Sequence, residues 1–448
     1  MTTTSEVEVR AALARGTATA RATLEELVRI PSISAAPDHA TDVDAVVARV
    51  AELASQAGAS QVDIVRSGGQ PAVIASWPPP PGAPTVLLYA HADVQPTGPV
   101  EEWTSAPFEP TERDGRLYAR GAADDKAGVA MHLAVLNAYD GRPPVGVVLF
   151  VEGEEEIASP TLTAILREHR DKLQADVIVI ADGGNAATDV PALTTSLRGM
   201  ASAIVEVQML ERAVHSGVYG GPVGDALTAM CKLLATLHDD NGDVAVEGLH
   251  SSTSDAPDVR EETWRADAGV LPGVELMGTG SILDRTCRRP AVSILALDAP
   301  RTDSTINILI PRARAVVSMR LAPGEDAQTA MKSLVGHLET HAPWGAKVDV
   351  TPKEIGEPFA LETVGPAFDA ARAAFADAYG NEVVEVGIGG SIPFIAEFAR
   401  AYPGAAVLVT GVGDPASRWH GIDESLHLGM WQSACVAEAL LLRRLAEL

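Results

Sequence analysis

Val147-Val148-Leu149-Phe150-Val151-Glu152-Gly153-Glu154-Glu155-Glu156 is an apolar run that ends in four carboxylates interrupted by one glycine. A short apolar run rich in β-branched residues predicts a buried strand. Carboxylates at its end are costly unless they reach solvent, a partner or a metal ion. A solvated turn accounts for Glu154 to Glu156 taken alone. Other strand-like runs in the chain end the same way. Thr85-Val86-Leu87-Leu88-Tyr89-Ala90-His91-Ala92-Asp93 ends in His-x-Asp, and residues two apart on an extended segment point the same way. Ala175 to Ala181 leads into Asp182. Between them, Arg120-Gly121-Ala122-Ala123-Asp124-Asp125-Lys126 is a glycine turn that opens a helix from about Lys126 to Tyr139. Capping that helix explains one of the two aspartates.

Strands alternating with helices predict a largely parallel sheet. In open sheets of this class, sites form at the carboxyl edge of the strands. Histidine, aspartate and glutamate converging there, with no sulfur, is a donor set for a hard or borderline divalent cation.

The chain has 448 residues, more than one core normally serves, so two domains are expected. Apolar residues make up 46% and the net charge is −26. That charge repels nucleic acid and anionic membranes, so neither is expected as a partner. Three scattered cysteines, Cys231, Cys287 and Cys435, suit a reducing compartment and form no disulfide or CxxC pattern. The opening residues carry neither a basic nor an apolar leader, and no run of 18 apolar residues occurs, so a cytoplasmic protein is expected.

Helical spacing covers Glu6 to Arg29 and Thr41 to Gly58, with strands at Gln61–Arg66 and Pro71–Trp77. Pro160 to Leu173 reads as one helix, and Lys126 reads as solvated or paired with the neighbouring acids. After Thr194 the pattern changes. Strands at Arg198–Leu210, Ala291–Leu297, Ala313–Leu321 and Ala346–Pro352, with helices at Asp225–His238 and Ala327–Thr340, predict an α+β insert. His250 to Asp284 reads as mostly loop. From about Phe359 the helix-strand alternation returns, through Gly389-Gly390-Ser391-Ile392-Pro393 and Trp419-His420-Gly421, to a last helix over Leu428–Leu445.

Taken in order, His91-x-Asp93, Asp124-Asp125-Lys126, Glu155-Glu156, Asp182, His215-Ser216-Gly217, Arg320, Gly389-Gly390-Ser391 and His420 resemble the two-metal metallopeptidases that include carnosinases, bacterial dipeptidases, aminoacylases and carboxypeptidase G. The resemblance spans nearly the whole chain. It implies an α/β fold with a mostly parallel sheet in a catalytic domain flanked by helices, residues 1–193 and 356–448. An inserted α+β lid and dimerisation domain would occupy residues 194–355. It implies metal ligands His91, Asp124, Glu156, Asp182 and His420, with Asp124 bridging two divalent ions, zinc foremost and manganese or cobalt as alternatives. Asp93 matches an orienting carboxylate, Glu155 the general acid/base, and His215 an oxyanion-stabilising imidazole from a partner's lid. Arg320, Asn307, Gly390 and Ser391 match substrate contacts. A homodimer and a cis Asp124–Asp125 peptide are also implied.

Ala127 and Ala158 stand where glycine is usual, Asp423 where Asn is usual, and Gly387-Ile388 where an Arg-Glu pair is frequent. Asp182 in place of Glu resembles the dipeptidase and aminopeptidase branches more than the deacylases. The activity implied is hydrolysis of dipeptides by a metal-bridged water with Glu155 as general acid/base. The alternative on the same site is an N-acyl- or N-carbamoyl-amino-acid amidohydrolase. A serine hydrolase is disfavoured because Gly389-Gly390-Ser391-Ile392-Pro393 lacks G-x-S-x-G. A binding protein that merely kept the fold is disfavoured because every ligand type and Glu155 are retained.

Overall fold

The apolar runs become strands buried on both faces. The computed structural model describes residues 5–253, 258–361, 363–389 and 393–448. The strands of the first unit are β1 (Gln61–Val65), β2 (Ala72–Trp77), β3 (Thr85–His91), β4 (Gly146–Glu152), β5 (Val177–Ile180), β6 (Ala192–Leu197) and β7 (Ala406–Val409). They lie in the order β1-β2-β4-β3-β5-β7-β6. β4, β3, β5 and β7 run parallel, with His91 opposite Glu152 and Tyr89 opposite Ile180. β1, β2 and β6 pair antiparallel at the margins. The carboxyl ends of β3, β4 and β5 therefore open on one edge, and each apolar run delivers its acidic or imidazole tail there.

Alternation sorts each strand between two layers. Val86, Leu88, Ala90, Val147, Leu149, Val151 and Val179 pack against helices α1 (Glu6–Val28), α2 (Ala40–Gln56), α3 (Lys126–Ala138), α4 (Pro366–Tyr379) and α5 (Leu428–Leu445). On the opposite face Tyr89, Phe150 and Phe398 pack with ring centroids 5.5 to 6.1 Å apart. Coverage on both faces explains why these strands read as continuous apolar runs. Each large side chain so buried contributes about 1.5–3 kcal/mol.

α1 starts at a capping box, with Ser5 and Glu8 each bonding the other's backbone N–H. Lys126 is fully buried, contrary to the solvated expectation. Its Nζ donates to the Leu27 and Ile30 carbonyls at 3.0 and 2.6 Å, and burial pushes the amine down to about 7. These carbonyls lie at the end of α1, where they also accept from Ile30 N and Ser32 N at 3.2 and 2.9 Å, and Lys126 adds a second donor to each.

The second unit comprises Ser196–Ala360 and Gly387–Pro393. Its antiparallel sheet runs Ala291–Leu297, Arg312–Leu321, Gly199–Gln208, Lys347–Gly356. Helices Ala226–Ala235 and Ala327–Thr340 bury Met230, Leu233, Met331 and Leu334 against Val205, Val207, Val317 and Met319. The sequence reading left residues 387–389 with the first unit. They belong to the second because Arg198 Nε donates to the Gly389 carbonyl at 2.9 Å and Cys287 Sγ to the Gly387 carbonyl at 2.8 Å.

Residues 250–284 are mostly loop where described, as expected, but they also carry Glu261–Asp267 and the start of Ile282–Cys287, both helical. The second is held by Ser281 and Asp258, whose oxygens accept from its first N–H groups. Such short, locally capped helices carry no periodic signal. The single helix expected over Pro160–Leu173 is two, Leu162–Glu168 and Arg170–Leu173, broken at His169.

α3 and α5 are pinned by a buried ion pair, His132 Nδ1 to Glu438 Oε2 at 2.8 Å. Burial alone would lower the imidazole, but the charge and hydrogen bond of Glu438 outweigh it and hold it above its ordinary value. A raised folded value stabilises below the unfolded value, about 6.5, and that contribution fades as pH rises through the folded value. His132→Gln should therefore cost more stability at pH 6 than at pH 9.5. Urea unfolding of both proteins at the two pH values checks this, and a pH-independent difference would contradict it.

Candidate metal centre

Strand ends place the first donors. His91 closes β3, and Asp93 follows it; both side chains are fully buried. His91 Nδ1 lies 3.1 Å from the Asp93 carbonyl and 3.4 Å from its Oδ1, which turns Nε2 outward. Asp93 does more than face the imidazole. Its two oxygens accept from the Glu155 and Glu156 N–H groups, each at 3.1 Å, so it also fixes the turn beyond β4.

That turn is a single 3-10 turn, Glu155–Ile157. It leaves through Ala158 (φ 67°) and Ser159 (φ 47°), both left-handed. Non-glycine residues pay about 1–2 kcal/mol each for that conformation. Buried carboxylates hold it in place. Glu154 accepts from Gln70 N at 3.0 Å, Thr161 N at 2.8 Å and the Thr161 hydroxyl. Glu152 accepts from Ser159 Oγ at 2.7 Å and from the Tyr89 hydroxyl. The acids of the opening stretch thus divide: Glu152 and Glu154 are internal anchors, and Glu155 and Glu156 face the site.

Asp124 lies at the centre. Its Oδ1 is 3.1 Å from His91 Nε2 and its Oδ2 is 3.0 Å from His420 Nε2. His420 Nε2 is also 3.3 Å from Glu156 Oε2, and His91 Nε2 is 4.0 Å from both Asp182 Oδ1 and Glu155 Oε2. Two groups result, His91–Asp124–Asp182 and Asp124–Glu156–His420, each with ligand atoms within 4.8 Å of one another. They share Asp124. Asp125 is the residue before α3, but its side chain makes no cap. Instead Oδ2 accepts from His91 N at 3.2 Å, across the cis Asp124–Asp125 peptide.

The electrostatics of this cluster call for positive charge. Burial, then Asp124 and Glu156 against the pull of His91, pushes Asp182 up to about 7. Burial and Asp182 raise Glu155 well above the carboxylate range, and burial with Asp124 raises Glu156. Asp124 resists burial because hydrogen bonds from His420 and His91 hold it well below its ordinary value. The same bonds, from Asp124 and then Glu156, push His420 up to about 10. Protons stand here where cations fit: two histidines, three carboxylates, no sulfur, and one carboxylate presenting a separate oxygen to each histidine.

The sequence-derived ligands His91, Asp124, Glu156, Asp182 and His420 and the candidate catalytic residues Asp93 and Glu155 all lie in the first unit. His215, Asn307 and Arg320 lie in the second. There His215 pairs with Ile308, and Ser216 N donates to the Asn307 carbonyl at 3.0 Å, so His215 and Asn307 are neighbours. His215 Nδ1 accepts from Gly217 N at 3.0 Å, leaving its ring proton on Nε2. Arg320 sits in the sheet opposite Met200 and Ala291. Gly390 and Ser391 fall outside the described residues. The sequence reading missed Glu424 and the task of Arg120. A buried ion pair joins them, Arg120 Nη1 to Glu424 Oε2 at 2.7 Å.

Residues 87–447 match Peptidase family M20/M25/M40. Over 426 residues the chain is 35% identical to the Cysteinylglycine-S-conjugate dipeptidase of Corynebacterium striatum, covering 93% of each. It is 26% identical over 439 residues to the Cys-Gly metallodipeptidase dug1 of Schizosaccharomyces pombe, covering 90% of this chain and 91% of that one. The crystal structure of human carnosine dipeptidase 1 superposes with a TM-score of 0.87 at 25% identity, covering 99% of each chain.

Chelator-stripped protein should melt below protein supplied with zinc or manganese. The gain should grow with ion concentration, reaching about 2.7 kcal/mol at a hundredfold excess over Kd. Asp124→Ala should abolish most of the gain, because both groups lose a ligand. Differential scanning calorimetry checks this, and an ion-dependent gain undiminished in the variant would contradict it.

Proposed function

The chain belongs to Peptidase family M20/M25/M40, and from that premise we propose that it hydrolyses dipeptides at the Asp124 centre. One observation carries the reading: the two oxygens of Asp124 face different histidines, and each histidine has a further carboxylate beside it. His91, Asp124 and Asp182 would hold one divalent ion, and Asp124, Glu156 and His420 the other, zinc being the first candidate. When bound, the ions supply a water of lowered pKa and polarise the scissile carbonyl. The dipeptide specificity rests on the relatives named above, all dipeptidases by name.

Glu155 is the general acid/base. It is a neighbour of ligand Glu156 but belongs to neither ligand group. Burial and Asp182 keep its proton affinity high, which suits a group that takes a proton from water and returns it to the leaving amine. Asp93 orients His91 and the Glu155–Glu156 turn together. In the second unit, His215 carries its proton on Nε2, as a donor to the developing oxyanion must. Arg320 is the cation for the substrate's free carboxylate, with Asn307, Gly390 and Ser391 as further contacts. Water adds across the amide, giving one carboxylate and one amine.

The working form is a cytoplasmic homodimer. Strand Ala291–Leu297 is a sheet edge whose Ile294, Leu295 and Leu297 are 41%, 64% and 39% exposed, and a second copy of the same edge would cover them. Among the described residues no helix is long and apolar enough to cross a membrane.

Release of free amino acids from a dipeptide panel tests the reading, with N-acetyl and N-carbamoyl amino acids in parallel. Stripped protein should be inactive and zinc or manganese should restore cleavage. Glu155→Gln should lose about 10²- to 10⁴-fold in kcat while still binding ions. Cleavage confined to the acylated compounds would move the function to a deacylase. Sedimentation of the active preparation should give a dimer; a monomer with full turnover would remove the edge pairing.

A further inference from the structure

The two ligand groups meet at Asp124, yet Asp124 and His420 come from segments almost 300 residues apart. Neither segment is fixed by its own conformation. Arg418, His420 and Asp423 have φ of 55°, 60° and 58°, a left-handed region that non-glycine residues disfavour. The turn before Asp124 presents its N–H groups to the protein interior, where they need acceptors.

Glu424 supplies those acceptors. It is fully buried, with Oε1 accepting from Ala123 N at 2.9 Å and Asp124 N at 3.1 Å. Oε2 accepts from Gly121 N at 3.0 Å and Arg120 Nη1 at 2.7 Å. Arg120, 1% exposed, then uses Nη2 to reach the Pro96 and His420 carbonyls at 3.1 and 3.0 Å. The tie is reciprocal. A side chain four residues beyond His420 holds the backbone of Asp124, and a side chain four residues before Asp124 holds the backbone of His420. Behind it, Ser425 pairs with Tyr118, and Asp423 accepts from Thr104 N at 2.9 Å and Thr104 Oγ1 at 2.6 Å.

We propose that Arg120 and Glu424 are positioning residues that set the spacing of Asp124 and His420, and so the affinity of the centre for its ions. This rests on the two-ion reading above but not on the substrate. A neutral amide at position 424 keeps the shape. It puts an N–H₂ against donors that need an acceptor, so the Asp124 turn and the His420 loop lose their common anchor. Side chains that orient ligands without touching the ion typically govern affinity by about 10- to 100-fold.

The test is equilibrium dialysis of zinc into stripped full-length protein, read as ions bound per chain, with circular dichroism as the check on folding. Glu424→Gln should bind at least one of two ions about 10- to 100-fold more weakly than the unaltered chain. Arg120→Lys, which keeps the charge but cannot span Glu424 and the His420 carbonyl together, should fall between the two, and it serves alone if Glu424→Gln does not fold. Glu438→Gln, which breaks the buried His132–Glu438 pair, is the control for a merely structural ion pair and should leave affinity unchanged. Unaltered affinity in folded Glu424→Gln and Arg120→Lys would overturn the proposal, as would an equal loss in Glu438→Gln. Affinity is read without substrate, so a chain that binds two ions, shows these losses and cleaves no dipeptide would refute the dipeptidase reading while supporting the clamp. A chain that binds no ion would overturn both.

Discussion

Buried negative charge at the carboxyl edge of a parallel sheet is the constraint on which this structure depends. Asp124, Glu155, Glu156 and Asp182 lie close enough to raise one another's proton affinity, Asp124 alone being held ionised by two imidazoles. Isolated carboxylates do not survive such burial without protons or cations. The fold gathers them because β3, β4 and β5 run parallel, so that their tails emerge together. In the proposed reading, a pair of divalent ions would resolve the repulsion, and the same field would keep Glu155 basic.

Beneath that edge lie carboxylates that belong to neither candidate ligand group. Asp93 holds the N–H groups of Glu155 and Glu156, Glu154 and Glu152 hold the turn that follows them, and Glu424 holds the turn before Asp124. Asp93, Glu154 and Glu424 accept from backbone N–H groups, and Glu152 accepts from the Ser159 and Tyr89 hydroxyls. Loops that carry ligands in left-handed conformations, as at Ala158 and His420, are thereby stabilised from outside themselves. Ligand geometry is set less by the ligands than by the acids beneath them.

Much of this was legible in the sequence, because strand and helix periods report burial directly. The runs ending in His91, Glu152 and Asp182 identified both the parallel sheet and its functional edge. His420 carried no such signal. It is an exposed side chain on an irregular turn, and only the resemblance to a family singled it out. Glu424 was passed over because nothing local to the pair Asp423-Glu424 marks it, and its partners lie about 300 residues away. Lys126 was misread for a related reason: a cation beside two aspartates suggests a surface cluster, whereas its partners are the carbonyls ending α1. Side chains that serve distant backbone are the part of a fold that local pattern does not encode.

X-ray absorption at the metal edge, on protein loaded with zinc to saturation, addresses the central claim most directly. Two ions per chain, with nitrogen and oxygen ligands alone and a metal–metal vector of about 3.5–4 Å, are expected. One ion per chain, a sulfur ligand, or two ions without that vector would contradict that claim.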